Sequence, residues 1–85
     1  MKRQVYNLNC SELKIARIRR NYSSKNLAKK LKWTPAVYSY KENGIRPLSL
    51  EDAKRIAEVL NLSPVEILLI FFDIDVNEIE NKELE

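Results

Sequence analysis

The sequence holds no histidine, one cysteine and one glycine. Without an imidazole, and with a single thiol, a structural zinc site lacks its usual ligands, and no metal is expected. One glycine excludes the Gly-rich loops that cradle nucleotide phosphates. Cys10 alone cannot form an intrachain disulfide and, with no signal sequence at the start, points to a reducing cytoplasm. Its thiol, beside a helix start, is either a reactive group or, more commonly, inert packing. The longest apolar run, ILLIFF at residues 67–72, is about a third of a membrane span. No constellation of acid, base and nucleophile is present. The expectation is therefore of neither an enzyme nor a membrane protein, with no cofactor and no small-molecule ligand.

What remains is a chain of 85 residues, enough for one small domain with a modest core. At 45% apolar and 32% charged it has the balance of a globular protein. Its net charge of +3 is unevenly spread. From Asp73 onward there are six acids and one base (Lys82), leaving 14 basic and 6 acidic side chains, a balance of +8, in residues 1–72. A basic body with an acidic tail suggests a polyanion-binding domain over 1–72 and a solvated extension over 73–85. On charge alone, a merely soluble surface explains the same pattern.

Apolar spacing near 3.6 residues and the scarcity of glycine argue for an all-α fold, and caps mark five helices. The first opens at Asn9, with Glu12 able to close a capping box, and runs through CSELKIARIRRN with Leu13, Ala16, Arg17 and Arg20 on one stripe. The second starts at Ser23, with Leu27, Ala28 and Leu31 facing inward and Tyr22 as a hydrophobic staple. The third has Thr34 as N-cap, Pro35 first and Gly44 as its stop. The fourth begins at Ser49 with Asp52 at the box position, buries Ala53, Ile56, Ala57 and Leu60, and ends at Asn61. The fifth opens SPVE, with Ser63 capping and Glu66 completing the box.

Only LKWT, residues 31–34, joins the second and third helices. Two short helices around a tight turn form the helix-turn-helix layout, although any small helical bundle contains such a pair. The stretch YSSKNLAKKLKWTPAVYSYKENGIRPLSLEDAKRIAEVLNLSPVEIL resembles the Cro/CI-type (xenobiotic-response-element type) helix-turn-helix family. From KENGIRPLSL onward it is similar to small phage-associated regulators of Gram-positive bacteria. The resemblance spans residues 11–72 and is most specific in NLAKKL, ENG and LEDAKRIAEVLNLS. It implies a five-helix, lambda-repressor-like bundle that binds double-stranded DNA, with the third helix in the major groove. Ser23, Ser24 and Thr34 would meet phosphates at helix starts, and Asn43 matches a backbone-touching position. Pro35, Ala36, Ser39 and Tyr40 match positions facing base edges. Arg17 and Glu42 match an ion pair between the first and third helices, and the slot of Tyr38 is a buried one.

The sequence departs from the pattern in several places. Ser24 stands where members often have Gln, and Lys32 where the turn usually has Gly, a substitution costing about 1 kcal/mol if φ must be positive. Lys41 fills a slot that is often apolar. The base-facing set has no Arg, Gln or Asn, so bidentate base pairs, worth about 1–3 kcal/mol each, are absent from it. Ala36 and Val37 offer methyl contacts, while Ser39 and Tyr40 offer single hydroxyls. Affinity would then rest on phosphate contacts from Lys25, Lys29, Lys30, Lys32, Lys41 and Arg46, with DNA shape adding selectivity. The bland alternative places these lysines on the wet face of an amphipathic helix, and leaves Arg17–Glu42 a solvated pair of little worth.

The fifth helix is apolar all round. With Ile67, Leu68 and Phe71 packed inward, Leu69, Ile70 and Phe72 are left for a second copy to cover, which predicts a two-fold homodimer reading a palindromic operator. The alternative is a monomer whose tail folds back through Ile74, Val76 and Ile79. The reading from sequence is a cytoplasmic repressor of phage or mobile-element type. Its rivals are an antitoxin, or a protein-interaction module that kept the fold and lost operator reading.

Overall fold

The computed structural model describes residues 5 and 7–77. Five helices follow one another: α1 (Cys10–Arg19), α2 (Ser24–Leu31), α3 (Pro35–Glu42), α4 (Leu50–Leu60) and α5 (Pro64–Phe72). Among the described residues the chain is all-α apart from a lone bridge residue, Ser49.

Each helix starts where a short polar side chain can take the first orphan N–H groups. Asn9, Ser23, Thr34, Ser49 and Ser63 each accept a hydrogen bond from the backbone N–H three residues on. The reciprocal half of the capping box closes at Asp52 and Glu66. It does not close at Glu12, because the Asn9 N–H is already donated to the Ile70 carbonyl at 2.7 Å. Asn9 Nδ2 instead donates to Asp73 Oδ1 at 3.2 Å, so the start of α1 is stitched to the end of α5.

The ends of α1 to α4 share one device. At Asn21, Lys32, Gly44 and Asn61 the chain turns through left-handed φ of 61°, 62°, 75° and 53°. In each case that residue and the next return their N–H groups to the last carbonyls of the helix, the Schellman arrangement. Glycine does this without penalty and asparagine with little, but lysine does not. Lys32 is therefore the strained member, in the turn that separates α2 from α3. The first helix stops two residues short of the span read from the sequence because Asn21 has left the right-handed region.

The core joins Leu13 and Ala16 of α1, Leu27, Ala28 and Leu31 of α2, and Tyr38 of α3. Ala53, Ile56 and Leu60 of α4, Ile70 and Phe71 of α5, and Leu48 and Leu62 from the loops complete it. Ala57, expected inside, is half-buried and packs at the edge. Upstream of α1, Val5 and Leu8 pack on this core, and the Val5 N–H reaches the Leu48 carbonyl at 2.7 Å.

On α5 the structure corrects the expected orientation. Ile70, assigned to the outer face, is 1% exposed, while Leu68, assigned inward, is only half-buried. The helix is set by its bonds to α1: the Asn9–Ile70 hydrogen bond, and Arg20 Nη2 gripping both oxygens of Glu66 at 2.8 and 2.9 Å. With that grip Ile70 and Phe71 are buried, and the half-buried Ile67 packs against the core beside them. The outward stripe becomes Val65 and Phe72, 52% and 43% exposed, with Leu69 half-buried between them. Residue 72 ends α5, and the Ile74 N–H still reaches back to the Leu68 carbonyl at 3.0 Å. Ile74 and Val76 are half-buried, and Ile79 lies outside the described residues.

Relief of the strained turn is measurable. Lys32→Gly is expected to stabilise the fold by up to about 1 kcal/mol in urea unfolding, whereas Lys32→Val, β-branched at the same left-handed φ, lowers stability.

Candidate nucleic-acid interface

The pair α2–α3 packs more extensively than any other two helices. Residues 32–34 join it, and a stack between Trp33 and Tyr38, ring centroids 6.3 Å apart, closes the turn from inside. Thr34 caps and Pro35 occupies the first turn, where its missing N–H costs nothing. The outer stripe of α3 then consists of Pro35, Ala36, Ser39 and Tyr40, with Pro35, Ala36 and Tyr40 exposed and Ser39 half-buried. The opposite stripe, Tyr38 and Glu42, is buried.

That inner stripe holds α3 through a buried ion pair. Arg17 Nε donates to Glu42 Oε1 at 2.8 Å, and Arg17 Nη1 donates to the Tyr22 carbonyl at 2.7 Å, just before α2. The Tyr38 hydroxyl donates to the same Glu42 oxygen at 3.3 Å. Burial first, and then the neighbouring Glu42 charge, push the Tyr38 phenol well above its ordinary range, so it remains a proton donor at any physiological pH. The pair is thus a buried one, with both side chains below 10% exposure, and the solvated alternative is excluded.

A second anchor, not foreseen from sequence, lies on the other side of α3. Lys41 Nζ meets Asp52 Oδ2 at 2.7 Å and sits 4.4 Å from the centroid of the Trp33 ring. Arg55 of α4 covers the same ring at 5.7 Å and donates to the Leu31 carbonyl. Burial works to raise the Asp52 pKa, but hydrogen bonds from Lys41 and the Ser49 backbone outweigh it, and the carboxyl sits below its ordinary value. Lys41 is therefore committed inside the protein. This corrects its place among the cations expected to grip phosphate: its ammonium is already paired with Asp52.

The remaining backbone candidates are placed as follows. Ser23 and Thr34 use their oxygens as acceptors for N–H groups of their own helices at 3.0 and 3.2 Å, which leaves each hydroxyl hydrogen available to an anion. Ser24 is half-buried in the first turn of α2. Lys25, Lys29, Lys30 and Lys32 are all exposed, and Lys29 and Lys30 line a shallow groove with Tyr22 and Asn26. Asn43 turns its side chain back onto α3, with Nδ2 2.8 Å from the Ser39 carbonyl and 3.4 Å from its hydroxyl. One Nδ2 hydrogen is thus committed to the Ser39 carbonyl, and the other has only the long contact to the hydroxyl. Arg46 is exposed, with its guanidinium carbon 5.4 Å from the Tyr40 ring centroid. Among the described residues no helix is long and apolar enough to cross a membrane, and no group of three metal-ligating side chains occurs.

Two short capped helices at a tight turn, the second presenting an open stripe and braced from behind, define a helix-turn-helix protein of the DNA-binding class. The family model described as Helix-turn-helix matches residues 13–67, which covers all but the ends of the fold. The chain belongs to the Cro/CI-type helix-turn-helix family, a family of DNA-binding transcription regulators. No curated protein and no solved structure matches it significantly.

The buried pair gives a sharp test of how α3 is held. Arg17→Met or Glu42→Met alone is expected to cost about 3–5 kcal/mol in chemical denaturation, since each strands a buried charge. The double substitution should recover most of that loss. Additive costs would mean that the two residues act independently.

Proposed function

We propose that this regulator is a repressor that docks α3 in the major groove of a palindromic operator, as a two-fold dimer, and blocks polymerase sterically. The observation that carries the reading is the open α3 stripe of Pro35, Ala36, Ser39 and Tyr40 between capped helix starts at Ser23 and Thr34. Those starts have the polarity and free hydroxyls that suit phosphate. Exposed Lys25, Lys29, Lys30 and Lys32 surround them and add non-specific grip. A Pro-Ala opening favours thymine methyl contacts over a hydrogen-bond code. The cellular setting that goes with this reading is the cytoplasm of a cell carrying a phage or mobile element, with residues 73–85 as the acidic tail of the sequence.

Dimerisation would run through the outer stripe of α5. Val65, Leu69 and Phe72 lie along it, with Val65 taking the place first given to Ile70, and the exposed Ile15 and Ile18 of α1 add to the apolar surface of the molecule. A two-fold copy covering this stripe removes apolar area from water and can set two α3 helices about 34 Å apart, one turn of DNA. In sedimentation at high micromolar concentration the wild type is expected to be dimeric and Phe72→Glu monomeric; a monomeric wild type would sink the dimer.

Selection from random duplexes at two salt concentrations tests the operator reading. Recovery of a palindrome supports it, whereas binding without a motif favours the interaction-module or antitoxin reading. In the same assay, Lys29→Ala with Lys30→Ala should flatten the salt dependence of log K by about 2 if both lysines meet phosphates. An unchanged slope would place them away from the DNA.

A further inference from the structure

We infer that Arg46, carried on the ring of Tyr40, is the base reader that α3 itself lacks, and that it selects a guanine in each half-site. The inference rests on the operator reading above and gives one position of that operator a chemical identity.

Three observations converge on it. First, Arg46 is tied to the exposed stripe of α3 rather than to the bundle behind it. The Tyr40 carbonyl accepts both the Ile45 N–H, at 2.8 Å, and the Arg46 N–H, at 3.1 Å, so the loop after α3 is pinned to the last turn of the helix. The guanidinium then lies over the Tyr40 ring, 5.4 Å from its centroid. Backbone and side chain both make Tyr40 the platform for Arg46.

Second, the other arginines around α2 and α3 are spent. Arg17 is buried on Glu42 and the Tyr22 carbonyl. Arg55 lies over Trp33 and donates to the Leu31 carbonyl. Arg20 grips Glu66 and the Leu60 carbonyl. Arg46 is exposed, and its guanidinium meets no hydrogen-bond acceptor among the described residues, so its planar fork of donors is available to a ligand.

Third, the chemistry of the platform favours a base over a phosphate alone. An arginine stacked on an aromatic ring loses rotamer freedom before it binds, which matters for a two-pronged contact and little for a point charge. The O6 and N7 acceptors of guanine match the guanidinium fork, and this is the commonest specific contact in the major groove. The apolar opening of α3 would then supply shape and methyl contacts, while the Tyr40–Arg46 unit supplies the directed hydrogen bonds.

The test compares sequence selection by the full chain and by Arg46→Lys, Tyr40→Leu and Tyr40→Phe, each first checked for an unchanged melting curve. Arg46→Lys keeps the charge but loses the fork, and is expected to weaken the guanine preference at one position per half-site by about 10-fold while leaving the salt slope intact. Tyr40→Leu removes the platform and should weaken the same position. Tyr40→Phe keeps the ring and should retain the guanine preference, even where loss of the hydroxyl lowers overall affinity. A motif unaltered by Arg46→Lys, or a Tyr40→Leu effect confined to a different position, overturns the inference while the operator reading stands. A wild-type chain that recovers no motif overturns both.

Discussion

A guanidinium taken out of water is tolerable only when its charge and its N–H groups find partners, and Arg17 finds them on two elements at once. Its Nε–H goes to Glu42 on α3, and an Nη1–H goes to the Tyr22 carbonyl at the entry to α2. The cation of α1 therefore fixes the two halves of the helix-turn-helix relative to each other from beneath. Such a pair contributes little net stability against a hydrophobic replacement, since desolvation consumes most of the Coulomb gain. What it does confer here is geometry: α3 can sit in only one rotation if Glu42 is to meet Arg17. The same rotation aims Pro35, Ala36, Ser39 and Tyr40 outward.

The rear of the motif is secured differently. Trp33 is flanked by Lys41 and Arg55, and Lys41 is in turn neutralised by Asp52. Lysine in that slot places its ammonium on a carboxylate and against the Trp33 ring, so a position that is often apolar accepts a charge without leaving it unpaired. The price is one fewer cation for DNA. The lysines of α2 and the turn, by contrast, are exposed.

Local chemistry made the helix starts easy to read from the sequence. Asn9, Ser23, Thr34, Ser49 and Ser63 all cap as their side chains dictate, because an N-cap depends on a single residue and the N–H three positions on. The Arg17–Glu42 pair was legible through the family resemblance alone, being 25 residues apart in the chain. Relations that depend on how two helices roll against each other were not legible. The rotation of α5 is set by Arg20–Glu66 and by the Asn9–Ile70 bond, and a helix apolar on every side carries no periodicity from which to infer it. Lys41–Asp52 and the Tyr40–Arg46 stack were hidden for the same reason: each side chain has an ordinary local role, as a surface cation, a cap or a polar tip, that masks its long-range partner.

Asp52 holds two joints with one carboxylate. Its Oδ2 accepts the Ser49 N–H at 3.1 Å to close the start of α4, and the same atom accepts Lys41 at 2.7 Å to brace α3. Because its pKa is lowered in the folded state, the stability it lends is fully present above the ordinary carboxylate value and is lost as pH falls through its folded value. A single proton arriving at that oxygen would unfasten the first turn of one helix and release the brace of another together. Helices α3 and α4 thus share an acid-labile hinge pin, and in strong acid the two are expected to loosen as one unit.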